Sequence, residues 1–138
     1  MKLLKKLFAP KPIARTREDL EQEEKEAIID LLLIATYADN HLSLAENKIL
    51  NEEFDKFSWE ANISLDLYLN DATNRARNAL DSDKTVEAYL ETISNRLSSR
   101  YSKSRALDLL SKLFYSDGNV DSEKAFTLNV KRILEQKQ

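Results

Sequence analysis

The sequence predicts an all-α protein: a single compact helical bundle of about six helices, built from two pseudo-symmetric helical hairpins. Three observations carry this. One glycine and two prolines stand in 138 residues, too few for the many turns of a β protein. Leu, Ala, Glu, Lys and Arg dominate, and these residues favour helix. Apolar residues recur at three- and four-residue spacing along most of the chain. The length suits one domain, large enough to bury roughly two-thirds of the surface its unfolded form exposes.

The domain reading is a basic N-terminal arm over residues 1–15 and a helical domain over residues 16–138. Lys2, Lys5, Lys6, Lys11, Arg15 and Arg17 meet no acid before Glu18. Pro10 and Pro12 separate the arm from the helical part of the chain, because proline cannot continue a helix. No apolar run approaches the roughly 18 residues of a membrane span. Charges interrupt Leu3, Leu4, Leu7 and Phe8 before a signal-peptide core can form. The expected location is cytoplasmic, with a membrane-peripheral variant through residues 1–8.

The first helix is predicted to start near Thr16 to Glu18, where acids suit the helix dipole. Ala27, Ile28, Leu31, Leu32, Ala35 and Ala38 form its stripe, and Ile29, Leu33 and Ile34 widen it. A stripe this wide marks a central helix. After a turn at Asp39–Leu42, Ser43 and Glu46 form a capping box. The second helix carries Ile49, Leu50, Glu53, Phe54 and Phe57 and ends near Trp59. Ser64 caps a third, with Leu65, Tyr68, Leu69, Ala72, Ala76 and Leu80. A polar turn at Asp81–Asp83 leads to a fourth, with Val86, Tyr89, Leu90, Ile93 and Leu97. Ser98 to Ser104 reads as a break. A fifth helix runs from Ala106 through Phe114 and stops at Asp117–Gly118, where glycine supplies a left-handed residue. Asp121 caps a sixth, with Ala125, Phe126, Val130, Ile133 and Leu134.

A shift of 78 residues aligns Asp30–Leu42, DLLLIATYADNHL, with Asp108–Val120, DLLSKLFYSDGNV. Asp30 meets Asp108, Tyr37 meets Tyr115, and Asp39 meets Asp117. The first and fifth helices are therefore equivalent, as are the second and sixth, which suggests a pseudo-twofold axis. The two turns read Ala38-Asp39-Asn40-His41-Leu42-Ser43-Leu44-Ala45-Glu46 and Ser116-Asp117-Gly118-Asn119-Val120-Asp121-Ser122-Glu123. This pattern resembles the TerB-like family of tellurite-resistance type over roughly residues 24–136. Asn40 departs from the family's glycine, and Lys124 stands where the first copy has Glu46.

The resemblance implies a non-enzymatic accessory module in a metal or stress response, with a divalent cation of Ca²⁺ or Mg²⁺ type. Hard cations take several oxygen ligands held by turns. Asp39, Glu46, Asp117, Asp121 and Glu123 are the candidate metal ligands, with Asp30 and Asp108 as structural or supporting residues. The alternative is that the acids only cap helices, in a protein-interaction or membrane-tethered scaffold module. An EF-hand register centred on Asp117 fails, because it needs ligands at Leu113 and Lys124. His41, the single histidine, is one imidazole with no thiolate beside it, and a solvated loop residue is the simpler reading. Asp30 and Asp108 lie within apolar helices. Each either bonds a tyrosine or a cation across its hairpin or faces solvent.

The absence of cysteine excludes disulfides, thiolate zinc sites and cysteine nucleophiles. No Gly-x-Ser-x-Gly elbow appears, and one glycine cannot make a phosphate loop. The chain therefore reads as no enzyme. Arg96, Arg100, Lys103 and Arg105 cluster with Tyr101, but a net charge of −3 argues against nucleic acid. That stretch reads as a segment paired with the acidic first helix. The expected partner is a protein, with weak membrane contact through the arm.

Overall fold

In the computed structural model, residues 20–38, 44–55, 59, 62–117 and 121–136 are described, with the backbone alone at 44–47, 49, 115–117, 121–125 and 136. Every regular element among them is an α-helix: α1 (Gln22–Tyr37), α2 (Leu44–Asp55), α3 (Leu65–Ala79), α4 (Asp83–Arg96), α5 (Arg100–Asp117) and α6 (Asp121–Gln136).

Helix α1 is the axis of the bundle. From Ala27 to Ala35 every apolar side chain is buried. A helix that is apolar all round has no face for water and must be surrounded. It packs against α3, α4 and α5, and more lightly against α2. Helix α2 lies chiefly on α5, and α6 lies on α4 and α5. Consecutive helices α3 and α4 touch each other little, because both face α1. Alanines permit the closest approach: Ala72 and Ala76, one turn apart on α3, are fully buried.

The caps follow local sequence. Ser64 Oγ accepts from the Leu67 amide at 3.2 Å, as predicted for α3. Ser82 caps α4 in a reciprocal box with Thr85: the Thr85 amide donates to Ser82 Oγ at 3.2 Å, and the Ser82 amide donates to Thr85 Oγ1 at 3.0 Å. Such boxes satisfy backbone donors that the first helical turn leaves open.

Two predicted boundaries move, at the starts of α1 and α5. Leu20 and Glu21 are not helical, so α1 begins at Gln22 rather than near Thr16 to Glu18. Its start is fixed by Glu24, whose Oε1 accepts from the Glu21 amide at 3.0 Å. Helix α2 is described over Leu44–Asp55 and residues 56–58 lie outside the described residues; Trp59 itself is not helical, and its indole N–H donates to the Ile63 carbonyl at 2.8 Å. The break expected at Ser98–Ser104 shrinks to Leu97–Ser99. Ser99 and Ser102 bond reciprocally, side chain to amide, at 3.0 and 3.2 Å, and start α5 at Arg100. The capping box at Ser43 and Glu46, the cap at Asp121, and the arm with the domain boundary after residue 15 all lie outside the described residues or side chains.

Candidate functional site

Two kinds of site are in question: the acidic turns and the buried charges of the bundle. Both turns fall at helix junctions. One joins the end of α1 to the start of α2, and the other joins α5 to α6. Asp117 is the last residue of α5, Asp121 and Glu123 open α6, and Glu46 lies in the first turn of α2. Asp39 and His41 lie outside the described residues, and nothing of the side chains of Glu46, Asp117, Asp121 and Glu123 is described. Among the described side chains, no three His, Asp or Glu converge as a metal site.

The repeat pair Asp30 and Asp108 separates. Asp108 is exposed on α5. Asp30 is fully buried in α1 and collects three donors. Tyr68 Oη donates to Asp30 Oδ1 at 2.8 Å, Arg75 Nη2 to Oδ1 at 3.1 Å, and Arg96 Nη2 to Oδ2 at 2.7 Å. One carboxylate thus ties α1 to both α3 and α4. A buried carboxylate is tolerable only with such partners. The Arg75 guanidinium also stacks on the Tyr68 ring, 5.1 Å from its centroid. Above the cluster opens a cleft of about 640 Å³, lined by Gln22, Glu23, Glu26, Tyr68, Arg75 and Arg96.

Two further acids are buried. Glu24 Oε2 accepts from Ser98 Oγ at 3.2 Å and Ser99 Oγ at 2.9 Å, joining the start of α1 to the α4–α5 connection. Glu53 on α2 accepts from Lys112 Nζ at 2.7 Å and Arg105 Nη2 at 3.4 Å, both on α5. The basic stretch therefore divides. Arg96 pairs with the first helix, as expected, whereas Arg105 pairs with the second.

Electrostatics at Asp30 raise two phenols. Burial first, and then the Asp30 carboxylate, push the Tyr68 hydroxyl above the ordinary tyrosine value. The same two causes raise Tyr89. Burial opposes the charge on Arg96, but Asp30 outweighs it and raises that pKa. The raised phenols keep their protons longer in the fold than in the unfolded chain. Their contribution to stability is intact below the unfolded tyrosine pKa, about 10, and is lost as pH rises beyond it. Melting temperature should fall as pH rises above about 10, and Tyr68→Phe should fall less over that range. An equal fall in both proteins would show that Tyr68 contributes nothing to alkaline unfolding.

Sequence reasoning named Tyr68 as a core residue and missed its partner Arg75. The available signal was spacing: Arg75 lies seven residues after Tyr68, two turns along the same helix face. Glu53 sat inside an apolar row with Leu50 and Phe54, which placed it on the buried face of α2. No protein-family model, no curated protein and no solved structure matches this chain.

Proposed function

We propose that this chain is a non-enzymatic, TerB-like accessory module that binds a divalent cation through its two acidic turns, in a metal or stress response. The observation that carries the reading is the repeat itself. The same acidic turn occurs twice, and each copy joins a pair of helices. In this reading the two hairpins, α1–α2 and α5–α6, are related by a pseudo-twofold axis, and Asp39, Glu46, Asp117, Asp121 and Glu123 supply oxygen ligands. The contributions are unequal, since the second turn carries more acid. Calorimetry with Ca²⁺, Mg²⁺, Mn²⁺ and Zn²⁺ tests it. The protein should release or take up heat with at least one ion, and Asp39→Asn/Asp117→Asn should abolish the signal. Silence from every ion, with an unchanged melting temperature, sinks the proposal.

Charge distribution favours a second reading, a scaffold module tethered through its arm to a protein or an anionic membrane. Residues 1–17 carry six basic side chains and no acid, whereas residues 18–138 carry 15 basic and 24 acidic side chains, net −9. Such polarity would orient the body away from an anionic surface that holds the arm. Among the described residues, no helix is long and apolar enough to cross a membrane. Flotation with phosphatidylserine vesicles should retain the full chain and lose one lacking residues 1–12. Equal flotation of both removes the membrane version.

A further inference from the structure

The Asp30 cluster has more donors than acceptors. Tyr68, Arg75 and Arg96 all bond the one carboxylate. The buried Tyr89 hydroxyl has no partner within hydrogen-bonding distance among the described residues, but the Arg75 guanidinium lies close enough to act on it. Two guanidinium charges face one acid. Each guanidinium has five N–H donors in a planar fork, and each directs one Nη to Asp30. The arginine side chains are 42 % and 26 % exposed, and both line the cleft between α1, α3 and α4. Glu23 and Glu26 line the same cleft and offset the guanidinium charge at a distance, without direct contact. Glu26 accepts from the Gln22 side-chain amide at 3.0 Å, and among the described residues neither Glu23 nor Glu26 forms an ion pair with Arg75 or Arg96.

We propose that this cleft binds a carboxylate group on the outward edges of Arg75 and Arg96. The two arginines already hold one carboxylate from below, and bidentate geometry suits a second from above. Glu23 and Glu26 at the cleft set its selectivity. They repel any anion, and a dianion about twice as strongly as a monoanion, so a singly charged carboxylate binds in preference to a dianionic phosphate. The site is separate from the acidic turns and does not rest on their reading. The same chemistry comes from a free organic acid or from an acidic side chain of a protein.

Nuclear magnetic resonance of the arginine Nε–Hε groups tests this on the full chain at fixed ionic strength. The probes are acetate, acetyl-Lys-Asp-Lys-amide and inorganic phosphate. Saturable shifts at Arg75 and Arg96 are expected with a carboxylate probe, and weaker ones with phosphate. Arg132, on the surface beside Glu87, is the control and should not saturate. Tighter saturation by the peptide identifies a protein-borne carboxylate, and tighter saturation by acetate a small acid. Arg75→Gln should raise the half-saturation concentration about tenfold. Should that variant fail to fold, Glu23→Gln/Glu26→Gln replaces it and should bring phosphate up to the affinity of acetate. The proposal is overturned if Arg75 and Arg96 respond no more than Arg132, if phosphate binds the parent more tightly than acetate, or if neither folded variant changes the titration.

Discussion

Asp30→Ala is expected to lower the stability of the fold by about 3 kcal/mol, the lower end of the cost of breaking a buried ion pair. Among the described residues, the change removes the one group that joins α3 and α4 to α1 through charge at this point. It leaves two guanidiniums without their counter-ion. The lower end applies because both arginines retain water contact, so their charge is not stranded in a dry interior. For a domain of this size the melting temperature should drop by about 10 °C. Asp30→Asn keeps the shape and one acceptor and should lose less. Asp108→Asn, the repeat-related change at an exposed site, should stay within about 0.5 kcal/mol. Thermal unfolding followed by circular dichroism measures all three. Equal melting of the Asp30 and Asp108 variants would refute the assignment of the cluster as the tie between these helices.

Ala76→Leu is expected to cost a similar amount, about 3 kcal/mol, by overpacking. Ala76 is fully buried where α3 meets α1, one turn from the equally buried Ala72. Three added carbons have no void to enter in a core packed at crystal density. They must push α3 outward, which also lengthens the bonds that Tyr68 and Arg75 make to Asp30. Trp59 reports on that movement, because its ring lies 5.2 Å from the Tyr68 ring. The variant should therefore melt lower and shift Trp59 fluorescence in the native state. Unchanged fluorescence with a lower melting point would place the strain elsewhere than at the α1–α3 contact.

The helices were legible in the sequence because they depend on local chemistry. Composition excluded sheets, spacing set the faces, and Ser64 announced its cap through a side chain three residues from its target. Boundaries failed where a distant residue decides them. Glu24, held by Ser98 and Ser99, helps fix the start of α1, and the acids before it pointed to an earlier start. The basic segment after Ser99 looked like a break because its polar residues hid a reciprocal Ser99–Ser102 cap. The Asp30 cluster was half legible. A carboxylate inside an apolar helix demands a partner, but the partners lie 38 to 66 residues away, and no spacing rule spans that distance. Sequence symmetry also overstated the match between Asp30 and Asp108. The two occupy equivalent positions in their helices, yet one helix is surrounded and the other has a wet face.

The all-round burial of α1 also bears on the order of synthesis. This helix leaves the ribosome before the other described helices, and the serine that closes over its first turn comes 75 residues later. At roughly 5–20 residues per second, its apolar surface waits on the order of several seconds for cover. Three of its buried residues, Glu24, Lys25 and Asp30, carry charge. While the segment is uncovered those charges favour water, and once it is enclosed Glu24 and Asp30 become the contacts that fix α3, α4 and the start of α5 against it.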